Sequence, residues 1–318
     1  MAYSLAGKRI WIAGQNGMVG SAIANRLANE NCNILLCRRD EIDLRRQSDV
    51  ELWVKKNRPD TIIIAAAKVG GINANKEYPA EFLYDNLMIE ANIINIASKV
   101  GVQKLVMLGS SCIYPKFSPQ PISEADILNG PLESSNQWYA IAKISGVMLC
   151  QAYRKQYGAD FISLMPTNLY GPGDFFDEKA SHVIPALLKR FHSAKTLGEE
   201  SITVWGSGNP KREFLHVYDA ADAIIHALKY YSDGMPLNIG SGEEITIAQL
   251  AKMIAKIIGY KGKILFDPSL PDGTPRKLLD SKRLCALGWS PQITLMDGLQ
   301  KTCAWYQEAL TTNNLRSK

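Results

Sequence analysis

The sequence has no Cys-x-x-Cys pair and no cysteine–histidine grouping at metal-binding spacing. Its six cysteines, at 32, 37, 112, 150, 285 and 303, and its four histidines are dispersed. That excludes a disulfide framework and a structural zinc site, and it suits a reducing compartment. No apolar run approaches the roughly 18 residues of a membrane span. Met1 to Arg9 has no apolar core, so no signal peptide is expected and the cytoplasm is the expected location. There is no basic block of the kind nucleic-acid binders carry, and no internal repeat or low-complexity tract. The net charge of +5 is mild and suits an anionic small molecule. What remains is an ordinary globular composition, 46% hydrophobic and 21% charged. Its 318 residues have room for one large or two modest domains.

The first informative segment is Arg9–Ala13, a short apolar run with the pattern of a buried strand. Gly14-Gln15-Asn16-Gly17-Met18-Val19-Gly20 follows it, and then a helical pattern from Ser21 to Ala28. Strand, glycine loop and helix in that order form the context of a dinucleotide fingerprint. The glycines allow a tight turn, close backbone approach to a pyrophosphate, and close helix–strand packing. The helix start offers unpaired N–H groups and a positive dipole end to the phosphates. The next strand, Asn33–Cys37, runs into Arg38 and Arg39 and then Asp40. An acidic strand tip binds a ribose 2′-hydroxyl, whereas arginine accommodates a 2′-phosphate. The two arginines precede the aspartate, so NADP(H) is expected over NAD.

The chemistry is concentrated in Gly109-Ser110-Ser111-Cys112 and in Tyr139-Ala-Ile-Ala-Lys143. Spacing of four places the phenol and the ammonium on one face of a helix. A free tyrosine has a pKa of about 10, and a neighbouring lysine is expected to pull it toward the working range. The strand Lys104–Leu108 delivers Ser110 at its carboxyl end, where open α/β sheets place ligands. A serine there could hold a carbonyl oxygen against the phenol while hydride moves at the carbon.

Strands and helices alternate through the first half, which implies a parallel sheet covered on both faces. Thr61–Ala67 and Phe161–Met165 read as further strands, and 80–99 and 137–157 as helices. After about residue 172 prolines at 185, 210, 236, 268, 271, 275 and 291 are expected to break long runs. The expected architecture is α/β: a Rossmann-type doubly wound parallel sheet with a smaller, interleaved C-terminal substrate-binding domain. Residues 1–172 would form the NADP-binding part, and 173–212 with 241–318 the substrate-binding part. Glu213–Asp222 and Leu237–Gly240 would be the chain's returns to the main sheet, at about 213–240.

On these residues the chain resembles the extended short-chain dehydrogenase/reductase superfamily of nucleotide-sugar enzymes. Seven strings, at 65–71, 109–115, 166–172, 181–187, 205–208, 212–217 and 272–280, carry the resemblance over essentially the whole chain. Within the superfamily it is similar to the enzymes that epimerise GDP-4-keto-6-deoxy-D-mannose at C3 and C5 and reduce it at C4 with NADPH. The resemblance implies that Cys112 and His182 exchange the ring protons, as a thiol and an imidazole can near neutral pH. It implies that Tyr139 protonates the C4 oxygen, Ser110 orients it, and Lys143 supports the tyrosine and binds the nicotinamide ribose. Gly14–Gly20, Leu108, Gly109, Ser110, Ser111, Pro166, Thr167, Asn168, Leu169 and His182 would line the cofactor, with Arg38 and Arg39 at its 2′-phosphate. Asn168, Arg190, Trp205, Arg212, Asp272 and Lys277 would hold the GDP-sugar. No metal is implied, and a homodimer is. Family members often carry a basic residue in the glycine loop; here Asn16 stands there, leaving the 2′-phosphate chiefly to Arg39.

Three rival readings fit less well. A 4,6-dehydratase of this superfamily carries Thr-Asp-Glu where this chain has Ser110-Ser111-Cys112. A 4-epimerase needs neither Cys112 nor His182, and a non-catalytic NADP-binding module needs none of the set.

Overall fold

The computed structural model describes residues 2–37, 40–177, 181–270, 272–312 and 315. The main sheet is built from β1 (Arg9–Ala13), β2 (Asn33–Leu35), β3 (Thr61–Ile64), β4 (Lys104–Leu108), β5 (Phe161–Pro166) and β9 (Leu237–Ile239). Their order is β2-β1-β3-β4-β5-β9, with every pairing parallel. The order reverses between β1 and β3, and that switch point opens a crevice at the carboxyl ends of the strands.

Alternation along each strand sends side chains to opposite faces. Ile10, Ile12, Ile63, Val106, Ile162 and Leu164 join one core with α1 (Met18–Leu27) and α7 (Val217–Tyr230). Trp11, Ile62, Ile64, Leu105, Met107 and Phe161 join a second, under α2 (Gln47–Asn57), α4 (Pro79–Lys99) and α5 (Gln137–Tyr157). The short α3 (Ile72–Glu77) precedes α4. The sheet is therefore doubly wound, as expected from the alternating pattern. Among the described residues no helix is long and apolar enough to cross a membrane.

A third core gathers residues from Tyr170 to Tyr306. It lies among α6 (Val183–Leu197), β7 (Ser201–Trp205), α8 (Ile247–Ile258), β11 (Lys263–Asp267) and α10 (Leu295–Thr311). Beside it, β6 (Asn168–Tyr170), β8 (Lys211–His216), β10 (Glu244–Thr246) and β12 (Arg276–Lys277) make a separate small sheet, with β8 paired to the other three. The segment Glu213–Asp222 thus does not return to the main sheet as expected. Its strand half belongs to the small sheet, and its helix half, α7, packs on α1. A buried apolar run looks the same in either sheet, so periodicity alone could not separate them. Leu237–Gly240 does return, through β9 beside β5. Pro185 breaks nothing: it stands in the first turn of α6, where a missing N–H costs no helical bond.

Asn238, fully buried in β9, ties the C-terminal segment to the sheet. Its side-chain oxygen accepts from the Tyr114 hydroxyl at 2.6 Å, and its amide donates to the Ile122 and Asp280 carbonyls at 3.0 and 3.1 Å. The short helix α9 (Lys282–Ala286) begins just beyond Asp280. Asn238→Ala removes the partner of the Tyr114 hydroxyl and of the Asp280 carbonyl, while the Ile122 carbonyl keeps its bond from Asp280 N, and is expected to lower unfolding free energy by about 1–3 kcal/mol in urea titration. A loss under about 0.5 kcal/mol would show the network to be dispensable.

Candidate active site

The end of β4 delivers Leu108, Gly109 and Ser110, and the single turn Ser111–Ile113 then carries Cys112. Ser110 is extended, and its hydroxyl accepts from the Cys112 N–H at 3.2 Å, which holds the two side chains together. Helix α5 starts after Asn136 and packs against this turn and against α4. It places Lys143 Nζ 5.8 Å from the centroid of the Tyr139 ring. The ammonium donates to the Leu108 carbonyl at 3.0 Å and lies 2.8 Å from Glu90 Oε1 on α4. Lys143 and Glu90 are 2% and 1% exposed, so this is a buried ion pair behind the tyrosine. The Tyr139 ring meets Phe82 edge-on at 6.5 Å. Ser110, Cys112, Tyr139 and Lys143 are thereby brought into one cluster.

The charges behave differently from the sequence expectation at one point. Burial pushes the Tyr139 phenol up, the Lys143 charge pulls it down, and Cys112 and Glu90 push it up again, leaving it above its ordinary value. Lys143 does not bring it into the neutral range, because burial of the phenol outweighs the lysine's pull and the Cys112 and Glu90 charges add to the burial. A phenol in that state is fully protonated at neutral pH, which suits an acid that starts by giving a proton. Burial works against the Lys143 ammonium, but Glu90 and Tyr139 more than offset it. The Glu90 carboxyl is pushed up by burial, only partly countered by Lys143.

Cys112 goes the other way. Burial raises its thiol, yet Lys277 Nζ at 3.6 Å from Sγ, with hydrogen bonds from Ser110 and Asn136, holds it below the ordinary thiol value. His182 is the N-cap of α6, open to solvent and without a side-chain capping bond. Desolvation by the surrounding protein disfavours its imidazolium and holds its pKa below the usual value.

The small sheet sets out the expected sugar-nucleotide residues. Asn168 on β6 stands opposite Phe214, and its amide donates to the Glu213 carbonyl at 2.8 Å. Arg212 on β8 is the register partner of Lys277 on β12. Arg212 also donates to the Asp272 carbonyl at 3.4 Å. Asp272 caps the turn after β7, accepting from Ser207 N and Oγ at 2.7 Å, next to Trp205, which is 55% exposed. Arg190 is exposed on α6. Neither Arg190 nor His182 makes a side-chain hydrogen bond to the Cys112–Tyr139 cluster among the described residues.

The glycine loop fits a dinucleotide. Gly14, at φ +97°, lies against the backbone after β3, where a Cβ would come within 2.5 Å of Ala66 N. A Cβ on Gly20 would collide with the Gly14 carbonyl. Gly17 is different: a Cβ there meets only the Gly14 oxygen, so its outer face is open to a ligand. No side chain caps the first N–H groups of α1, from Met18, Val19 and Gly20. That is the cradle a pyrophosphate requires. The Gln15 amide bonds the Cys37 carbonyl, Asn16 is exposed, and Arg38 and Arg39 lie outside the described residues. Farther along the crevice Gly109 N bonds Leu164 O at 2.9 Å, and Pro166 pairs with Ile239. Ser111 and Thr167 are buried, and Met18, Val19 and Leu169 pack on the first core. Those five would meet a cofactor chiefly through backbone. Among the described residues no group of three or more His, Cys, Asp or Glu could hold a metal ion.

Sequence reasoning missed two members of the site. Glu90 sits among Ile89, Ile93 and Ile94, and an acidic residue on the buried stripe of a helix is a readable signal. Asn136, one residue before α5, occupies an ordinary capping position, and nothing in the sequence distinguishes its contact with Cys112.

A doubly wound sheet, an open glycine cradle and a Ser/Tyr/Lys cluster at the strand ends define a nicotinamide-nucleotide-dependent sugar-nucleotide epimerase or reductase. Residues 10–240 match the model of the NAD dependent epimerase/dehydratase family, and the chain belongs to that family. It is 55% identical over 300 residues to a GDP-L-fucose synthase of Sinorhizobium fredii, covering 94% of this chain and 96% of that one. It is 50% identical over 311 residues to the GDP-L-fucose synthase of Escherichia coli, covering 95% and 97%. Among solved structures, a GDP-L-fucose synthetase of Naegleria fowleri bound to NADP superposes with a TM-score of 0.91 at 28% identity, covering 98% of both chains.

Lys277→Met removes the cation that opposes burial at Cys112, so the thiol pKa should rise. Cys112 alkylation followed by peptide mass spectrometry should then reach half-maximal rate roughly one pH unit higher. An unchanged midpoint would mean that Lys277 does not govern the thiol.

Proposed function

We propose that this chain converts GDP-4-keto-6-deoxy-D-mannose to GDP-L-fucose by epimerising C3 and C5 and reducing C4 with NADPH. The observation that carries this is Cys112, a thiol held low by Lys277, on the same turn as the Ser110 that faces Tyr139 and Lys143. A plain 4-reductase or 4-epimerase has no use for a depressed thiol at that point.

The 4-keto group acidifies the hydrogens on C3 and C5. Cys112 and His182 exchange those protons, one taking a proton from a face and the other returning one to the opposite face. A thiol held below its ordinary value and an imidazole held below its own can both take protons near neutral pH. The electron pair left by each proton moves onto the C4 oxygen, where the Ser110 and Tyr139 hydroxyls hold the enolate. NADPH bound in the glycine cradle supplies the hydride to C4. Tyr139, protonated beforehand, then gives its proton to the C4 oxygen, and Lys143 stabilises the phenolate left behind.

In this reading Gly14–Gly20 and the ends of β4 and β5 hold the dinucleotide, with Arg38 and Arg39 at its 2′-phosphate. Arg212 and Lys277 face the diphosphate, where an arginine can use two N–H groups at once. Trp205, Asp272, Asn168 and Arg190 complete the GDP-sugar pocket. Residues 1–172 with the return at Leu237–Ile239 serve the cofactor, and the segments around the third core serve the substrate. The working form is a cytoplasmic homodimer; α4 and α5 pack together and leave Tyr84, Leu87, Trp138 and Ile141 exposed, an apolar surface a second copy could cover.

The two half-reactions should separate by mutation. Tyr139→Phe is expected to lose NADPH oxidation by about 100-fold or more while ring-proton exchange at C3 and C5, read by NMR in D2O, continues. Cys112→Ser should do the reverse, and its reduced product should be a GDP-6-deoxy sugar lacking full inversion. If Cys112→Ser still yields GDP-L-fucose at the wild-type rate, the thiol's role is wrong.

A further inference from the structure

Glu90 is a carboxylate in an apolar place. It belongs to α4, is 1% exposed, and is flanked along the helix by Ile89, Ile93 and Ile94. Its Oε1 lies 2.8 Å from Lys143 Nζ, and neither oxygen accepts a well-formed hydrogen bond among the described residues. The space for it comes from α5, where Gly146 follows Lys143 by three residues on the same face. A Cβ at 146 would overlap Glu90 Oε2 and reach 2.5 Å from Met107 Cε. A buried pair of this kind adds little stability over apolar side chains of the same volume. Packing therefore gives no reason for a charge at position 90, and the group it touches is the lysine of the reducing cluster.

We propose that Glu90 is a positioning residue for the reduction step: it keeps the Lys143 ammonium charged and seated between the Leu108 carbonyl and the Tyr139 ring, and tempers the pull of that charge on the phenol. This rests on the reading of Tyr139 as the proton donor. Without a counter-charge, burial would push the Lys143 pKa down. The titratable groups facing Glu90 are Lys143, Tyr139 and Cys150 on α5, with Cys112 beyond the tyrosine on the turn after β4. Cys150 is pushed up to about 12 and stays neutral, and from β4 the Leu108 carbonyl accepts from the Lys143 ammonium. Glu90 is the anion that answers Lys143.

The sign can be read from the pH dependence of kcat for NADPH oxidation, whose alkaline limb follows loss of the Tyr139 proton or of the Lys143 proton. Glu90→Gln keeps the shape and removes the charge. Lys143 then either loses its proton more easily or, if still charged, acts unopposed on Tyr139. Both outcomes move the alkaline limb down, by roughly one pH unit, and Glu90→Asp should restore it in part. A folded Glu90→Gln enzyme with an unmoved limb would overturn the proposal. A second reading needs no turnover: thermal midpoints of Glu90→Gln, Lys143→Met and the double variant. The double should lose clearly less than the sum of the singles, because each single leaves a buried charge alone. Additive losses would overturn the proposal too. A wild-type protein inert toward the keto sugar would instead sink the reading of the previous section and leave this arm readable.

Discussion

The ammonium of Lys143 lies between a strand-end carbonyl, a buried carboxylate and the face of a tyrosine, and it joins three elements at the point where chemistry occurs. It ties α5 to the end of β4 through Leu108 and to α4 through Glu90. Placing a charge that deep is costly unless it is met by an opposite charge and a hydrogen-bond acceptor, and both are present. The same arrangement explains why Tyr139 stays protonated. Burial of the phenol is the larger effect, and the cation that would stabilise its anion is partly answered from behind by Glu90. Lys143 still pulls the phenol down, but by less than burial pushes it up.

A few ångströms away the opposite choice has been made. Cys112 meets the ammonium of Lys277, and its thiol is pulled down. One lysine is paired with a carboxylate and its neighbour group stays protonated; the other has no ion pair among the described residues, and its neighbour is pulled down. The proposed half-reactions use those two states: an acid for the oxygen at C4 and a base for the carbons beside it. The small sheet makes this possible. Its β8 carries Arg212 beside Lys277, takes the Asn168 amide on the Glu213 carbonyl, and leads straight into α7 on the main sheet.

The cofactor half was legible in the sequence because its signals are local. A strand, three glycines with distinct steric reasons, and a helix succeed one another within 20 residues, and α5 spans residues 137–157 as its pattern implied. The strand carrying Ser110 likewise ends where its apolar run ends. The second half resisted because its logic is not local. Lys211–His216 reads as a buried strand whichever sheet it enters, and only the pairings with β6, β10 and β12 decide. Electrostatics were the least legible. Tyr-x-x-x-Lys implies a lowered phenol until the burial of Tyr139 is seen, with Glu90, 49 residues earlier, on the other side of the lysine. The Lys277–Cys112 contact joins residues 165 apart and has no sequence signature at all.

The central claim is that proton exchange at two carbons and hydride transfer at a third take place in one pocket. The most direct test is to run the wild-type protein in D2O with NADPH and GDP-4-keto-6-deoxy-D-mannose and to determine the product by NMR and mass spectrometry. The account predicts GDP-L-fucose with solvent deuterium on C3 and C5 and protium at C4. A reduced sugar that retains the manno configuration and carries no deuterium at C3 and C5 would contradict it.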